Sequence, residues 1–250
     1  MADTWRERYA VVSCHVERPL DDAVWTRFAS LQTKRPGGFA VAALIRPPDI
    51  SAGEDEARWI ERARAAAALG PLGHHTHWTA PDHARPTGDR TGERVLTEGR
   101  WLREQGLAPT LFCGGGWYAD ADVAEACAEL GYVDCTPRAS RPPYLTSGEA
   151  WAWLDGPARV RLPSGEDVLA LPTTHSVGDL ARALFSRHPL PAVTHVYFHD
   201  TDLLVRSRRA LIPRLLALLA RQSESSDLAE LSRTLGAVAP RVDWADVVRS

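Results

Sequence analysis

Three short segments carry the residue types that hydrolytic chemistry needs: Ser13-Cys14-His15-Val16-Glu17, Gly73-His74-His75-Thr76-His77-Trp78 and His199-Asp200-Thr201-Asp202. His75 and His77 stand two apart. On an extended strand such residues project from one face, so both imidazoles can hold one metal ion while His74 points the other way. His15 and Glu17 repeat the spacing and add an imidazole and a carboxylate. Two histidines and a carboxylate with an open coordination position suit a catalytic divalent ion, zinc above all. A polar turn with solvated imidazoles fits the same spacing. His199 leaves an aromatic, β-branched stretch and is placed to give a proton to a leaving group. Asp200 or Asp202 can orient it or stand behind the metal, and Asp202 can equally cap the following turn.

Other residues add to this picture. Gly114-Gly115-Gly116 permits close backbone approach to a ligand or a tight turn. Trp78, Trp117, Tyr118, Trp151 and Trp153 lie in or beside loops, where aromatic faces stack on sugars or pack the core. Among these, Gly115, Trp117 and Trp78 are the substrate-binding candidates. Cys113 has no base partner and reads as a packing residue. His175 exits another strand-like stretch and is a weaker candidate. His83, His188 and His195 lack a partner pattern and read as structural or surface residues.

Something must bring these distant segments together. Apolar runs at Tyr9 to Cys14, Phe39 to Ile45, Leu72 to Trp78, Thr110 to Cys113, Tyr132 to Thr136 and Thr194 to Phe198 predict strands. Helical patterns separate them: Asp21 to Leu31, Ser51 to Leu69, Glu93 to Gln105, Ala121 to Leu130, Val177 to Arg187, Ser207 to Arg221 and Asp227 to Leu235. Ser51 with Glu54 has the form of a capping box. Ala158 to Pro172 predicts a hairpin turning at Pro163-Ser164-Gly165-Glu166. A polar loop is expected at 79–92 and irregular aromatic chain at 137–157. Such βα alternation predicts a parallel sheet with helical crossovers, closed as a barrel or open and doubly wound. In either, the C-terminal strand ends share one mouth. A full eight-unit barrel needs about 250 residues, so a reduced barrel of six or seven strands fits better beside the hairpin. One domain over 1–250 is expected, with its core at about 9–220 and a C-terminal helix and tail at 221–250.

The composition narrows the function. The chain has 250 residues, a formal net charge of −3 and 44% hydrophobic residues, enough apolar content for a core. Near-balanced charge offers no basic face for nucleic acid. No apolar run approaches the ~18 residues of a membrane span. The opening MADTWRERYA lacks the apolar stretch of a secretion signal, and the four cysteines form no CxxC pair. A cytoplasmic protein with reduced thiols is therefore expected, acting on a small molecule or carbohydrate, without nucleic acid or membrane as partner. No GxGxxG follows a strand, which disfavours a dinucleotide site.

The ordered segments resemble the polysaccharide deacetylases of carbohydrate esterase family 4. Gly73-His74-His75-Thr76-His77 is similar to that family's Gly-x-His-Ser/Thr-x-x-His motif. Phe112-Cys113-Gly114-Gly115-Gly116, a helix and then Gly131-Tyr132-Val133-Asp134 resemble its Phe-Arg-x-x-Gly, helix, Gly-Tyr-x-x-Asp segment. Tyr197-Phe198-His199-Asp200 resembles its late Leu-x-His-Asp strand, and Tyr9 to Glu17 stands where its first strand and acidic motif lie. The resemblance spans roughly 9–220. It implies a distorted (β/α)7 barrel and a metal-dependent hydrolase cleaving an N-acyl bond on a sugar or small amide. Glu17, His75 and His77 would hold a divalent metal, zinc by analogy. His15 would serve as base and His199, supported by Asp200, as acid. The chain departs from the pattern in placing His15 where the family has its base aspartate, His77 two rather than four residues after His75, and Cys113 where the family has arginine. The alternative is an altered, non-catalytic barrel that binds a carbohydrate. Cleavage of a cyclic amide is a third reading.

Overall fold

The computed structural model describes residues 8–80, 84–146, 148–186 and 188–249. Five parallel strands follow one another in space as in sequence: β1 (Tyr9–Val16), β2 (Ala42–Ile45), β3 (Leu72–Thr76), β4 (Leu111–Gly114) and β5 (Val133–Asp134). Helices α1 (Asp22–Lys34), α2 (Glu56–Ala67), α3 (Thr91–Glu104) and α4 (Ala121–Glu129) make the four crossovers. After the short β6 (Trp151–Ala152), the predicted hairpin forms from β7 (Ala158–Arg161) and β8 (Asp167–Ala170), paired antiparallel.

That hairpin leads into the closure of the sheet. The run from β8 through Leu171 to β9 (His175–Ser176) bonds β5 with its first half and β10 (Val193–His199) with its second. The Leu171 N–H reaches Asp134 O at 2.8 Å, and the Thr174 N–H reaches His195 O at 3.0 Å. β10 in turn pairs with β1 along its length. Among the described residues, β1, β2, β3, β4, β5, the β8–β9 run and β10 thus form a ring of parallel staves, a distorted barrel as expected. Helix α5 (Val177–Ser186) precedes β10 and α6 (Arg206–Leu219) follows it. The chain then continues through β11 (Glu224–Ser225), α7 (Leu228–Gly236), β12 (Arg241–Asp243), α8 (Trp244–Val247) and β13 (Val248–Arg249).

Strands buried on both faces read as near-continuous apolar runs, and β1, buried from Ala10 to Val16, is apolar except at Ser13 and His15. Its outward residues Val12, Cys14 and Val16 share one core with Phe28, Trp59 and Leu216 of the helical layer. Its inward Val11 packs with Leu44, Leu111 and Leu171 inside the ring. Leu228, Leu231 and Leu235 of α7 complete that inner core. Because β11, just before α7, pairs with Tyr9 and Ala10 at the start of β1, α7 plugs the end opposite the site. Truncating a buried anchor such as Phe28 to Ala would cost about 3–5 kcal/mol.

One expectation shifts. Helix α2 starts at Glu56 with Asp55 as its cap, not at Ser51. Glu54 is drawn away by buried Arg46, 2.6 Å from it, and also accepts the Asp49 N–H at 2.7 Å. A buried guanidinium left without a carboxylate is costly, so the ion pair overrides the capping pattern. Strands β12 and β13 have no clear alternating pattern in the sequence and form by pairing with β7 and β6.

Candidate metal centre and cleft

Strand register brings the separated motifs to one mouth. His15 on β1 stands beside His199 on β10, and Ser13 beside Tyr197. His75 on β3 stands beside Cys113 on β4. Alternation along each strand sends Ser13 and His15 inward and Cys14 and Val16 into the outer core. Glu17, just past β1, extends the inward series.

The Glu17 Oε1 lies 3.7 Å from His75 Nε2, 3.6 Å from His77 Nε2 and 3.6 Å from His199 Nε2. The two Nε2 atoms of His75 and His77 are 3.2 Å apart. His75 Nδ1 lies 2.7 Å from the carbonyl oxygen of Cys113. A carbonyl only accepts, so Nδ1 carries the proton and donates it. In the neutral ring, Nε2 then presents its lone pair toward Glu17 and His77. Burial holds His75 down to about 4, the adjacent His77 adding to the effect against the pull of Glu17, so the ring is neutral near pH 7. An ionised carboxylate and an imidazole lone pair, both acceptors, therefore face each other.

This donor set fits a small divalent cation. Four ligands about zinc at ~2.0–2.1 Å stand about 3.3–3.4 Å from one another. The triad's separations of 3.2, 3.6 and 3.7 Å lie close to that. A backbone carbonyl fixing the far nitrogen is the usual support of a metal-binding histidine. Glu17, His75 and His77 form one group able to hold an ion. His15, His75 and Cys113 form a second. There the Cys113 thiol is pushed well up by burial, which disfavours the thiolate a metal requires.

His15 lies beside the triad, its ring centre 4.6 Å from that of His75 and 5.1 Å from that of His199. Among the described residues, its Nε2 is buried without a hydrogen-bond partner. Burial, with His75 and His199 nearby, keeps its pKa well below that of an ordinary histidine. His199 is half-buried, the most accessible of these histidines, and its peptide N–H donates to Asp202 Oδ2 at 3.0 Å. A cleft of about 410 Å³ opens over these groups, walled by Trp117, Tyr144, Tyr197 and Arg85. Trp117 holds a left-handed backbone, φ 56°, directly after Gly116 at φ 58°. Left-handed backbone at a large side chain is costly. It sets the indole against the rings of His15 and Tyr197, at 5.1 and 4.8 Å.

The structure gathers Glu17, His75, His77, His15, His199 and Trp117 as expected, and moves three other candidates elsewhere. Asp200 makes no hydrogen bond to His199 among the described residues. Its Oδ2 accepts the Arg18 N–H at 2.8 Å, tying the end of β1 to the end of β10. Burial, with Glu17 nearby, pushes its carboxyl up to about 7. Trp78 follows inward His77 and so points outward, where its Nε1 donates to Thr91 O at 3.2 Å. Gly115 packs rather than binds: a Cβ there would stand 2.5 Å from Thr76 O and 3.0 Å from the His77 ring. His74 points outward as expected, to Glu98 at 2.9 Å. His175 bonds neighbouring Thr174 and is absent from the cleft wall. His195 is buried against Ser13 Oγ at 2.8 Å. His83 lies outside the described residues.

Sequence reasoning missed Tyr197, Tyr144 and Arg138. Tyr197 stands two before His199, so the same alternation could have found it. Tyr144 and Arg138 lie in irregular chain with no periodicity to place them.

The fold is that of the deacetylase-type barrels. No family model matches the sequence, and no curated protein does. Among solved structures, the chain resembles a Mycobacterium smegmatis protein provisionally assigned as a polysaccharide deacetylase, at TM-score 0.68 and 14% identity, covering 94% of this chain and 93% of that one. It is also similar to Puue allantoinase, at TM-score 0.56 and 13% identity over 93% and 91% of the two chains. A third likeness is the Xyl-CE4 domain of a multidomain xylanase from the hindgut metagenome of Trinervitermes trinervoides, at TM-score 0.50 and 10% identity over 96% of each. Among the described residues, no helix is long and apolar enough to cross a membrane.

Proposed function

We propose that the protein is a metal-dependent hydrolase that cleaves the N-acyl bond of a sugar or a similar small amide. The observation that carries this is the His75 lone pair aimed at an ionised Glu17 carboxylate, with His77 Nε2 beside both. Deacetylase and allantoinase neighbours support a hydrolase acting on carbon–nitrogen bonds. Glu17, His75 and His77 would hold the ion, with zinc the best match to the donors. A bound divalent cation supplies Lewis acidity and lowers the pKa of water.

The chain's own residues do the rest. His15 stands beside the triad with its Nε2 unpartnered among the described residues, so it is the imidazole placed to accept a proton from water. His199, at the open edge beside Glu17, can hold a proton and give it to the departing amine. Trp117 and Tyr197 bound the substrate and exclude water from one side. The test is acetate release from N-acetylglucosamine and its short oligomers by zinc-loaded protein. Release that falls about 10²–10⁴-fold in His199→Ala supports the reading. No release of acetate from any of them contradicts it, as does release unchanged by that substitution.

A further inference from the structure

Arg138 is only 4% exposed, and the proposed reaction gives it no part. Among the described residues its guanidinium makes no ion pair or side-chain hydrogen bond, and its Nε is buried without a partner. Asp179, a carboxylate within reach of its field, is held instead by Ser176 and Arg182. A cation buried without an anion is costly, and here two aromatic rings offset part of that cost. The guanidinium carbon lies 4.5 Å from the centre of the Trp117 ring and 5.0 Å from that of Tyr197. The two rings meet edge to face at 4.8 Å, so the cation sits over both at the corner they form. Cation–π attraction of this kind strengthens away from water.

The same two rings hold His15, with centres 5.1 Å from it for Trp117 and 5.4 Å for Tyr197. Trp117 needs a restraint, because its φ of 56° is strained for a bulky side chain. Such strain persists only where the surroundings enforce it. Arg85 restrains the turn through the backbone, donating to Gly116 O at 2.7 Å. Arg138 restrains it through the ring.

We infer that Arg138 is a positioning residue: its charge pins Trp117 and Tyr197, and these rings in turn fix His15 beside His75 and His199. The guanidinium touches neither substrate nor metal. This rests on reading His15 as the base of a hydrolase.

The test compares wild type with Arg138→Met, which keeps a long stem without charge, and with Arg138→Lys, which keeps the charge. Crystal structures should show Trp117 left-handed and against His15 in wild type and Arg138→Lys, and displaced from His15 in Arg138→Met. With zinc-loaded protein and an N-acetylated sugar, a base misplaced by about 1 Å should lower kcat about 10²-fold in Arg138→Met. Zinc content should stay at the wild-type level, KM should change less than about fivefold, and Arg138→Lys should recover about tenfold of the loss. Tyr197→Leu keeps Arg138 and removes one relaying ring, so there too His15 should shift and kcat should fall. Trp117 unmoved in Arg138→Met, a loss confined to KM or to zinc content, Arg138→Lys no better than Arg138→Met, or His15 unmoved in Tyr197→Leu would each overturn the inference. The last comparison stands even if Arg138→Met fails to fold. Wild type that releases no acetate would instead contradict the hydrolase reading, and the crystallographic comparison would still decide this one.

Discussion

The ring of His75 is locked to the carbonyl oxygen of Cys113 at 2.7 Å, and that contact aims its other nitrogen at Glu17. Strand pairing makes the contact, since His75 and Cys113 are direct neighbours across β3 and β4. Cys113 thus matters through its backbone, while its thiol packs. Nitrogen NMR of the histidine rings should show His75 protonated at Nδ1 and bare at Nε2 near neutral pH. The opposite tautomer would remove the basis for a ligand at that position.

His15 should matter for turnover and not for metal uptake. It faces the triad without belonging to the Glu17–His75–His77 group. In His15→Ala, hydrolysis should fall about 10²–10⁴-fold with zinc content unchanged. Loss of zinc from this variant would make His15 a ligand, and full activity would deny it the role of base.

Gly115 is a tolerance check on the same geometry. A methyl group there meets Thr76 O at 2.5 Å and the His77 ring at 3.0 Å. Gly115→Ala should cost about 1–3 kcal/mol of stability and weaken zinc binding by displacing His77. A variant with wild-type melting and zinc affinity would show that the end of β3 yields freely.

Two buried groups away from the triad give opposite pH dependences. Burial lowers His195 from 6.5 to about 4. The unfolded chain then binds a proton that the folded one refuses, so stability falls as pH drops through that window. Relative to His195→Gln, wild type should lose about 3 kcal/mol between those limits. Burial raises Asp134 from 3.8 to about 6, against hydrogen bonds from Thr136. Here the folded chain holds the extra proton, so stability falls as pH rises through that window. Relative to Asp134→Asn, wild type should lose about 3 kcal/mol across it. Denaturant titrations at stepped pH measure both slopes, and a flat difference in either case contradicts the assignment.

The residues of the candidate site are more legible in the sequence than the elements around them. The two-residue spacings of His15 with Glu17 and His75 with His77 are local, and strand geometry turns them directly into shared faces. The βα alternation likewise held enough to expect a reduced barrel. Closure by the run after the hairpin was not legible, because Leu171 to Ser176 bonds β5 and β10, which are distant in sequence. Asp200 was misplaced because adjacency to His199 says nothing about the Arg18 N–H it captures across the ring. The residue type of Trp78 suggests a binding role, but alternation after inward His77 turns its ring outward. Arg138 was invisible because its partners are the rings of Trp117 and Tyr197, brought to it only by the fold.

Metal content tests the central claim most directly. Purified wild type and the His75→Ala, His77→Ala double variant are incubated with zinc, freed of excess by gel filtration and analysed by mass spectrometry of the metal. The geometry of Glu17, His75 and His77 predicts one tightly held zinc per wild-type chain and none in a folded double variant. Wild type that retains no zinc, or a double variant that retains it fully, would contradict the account.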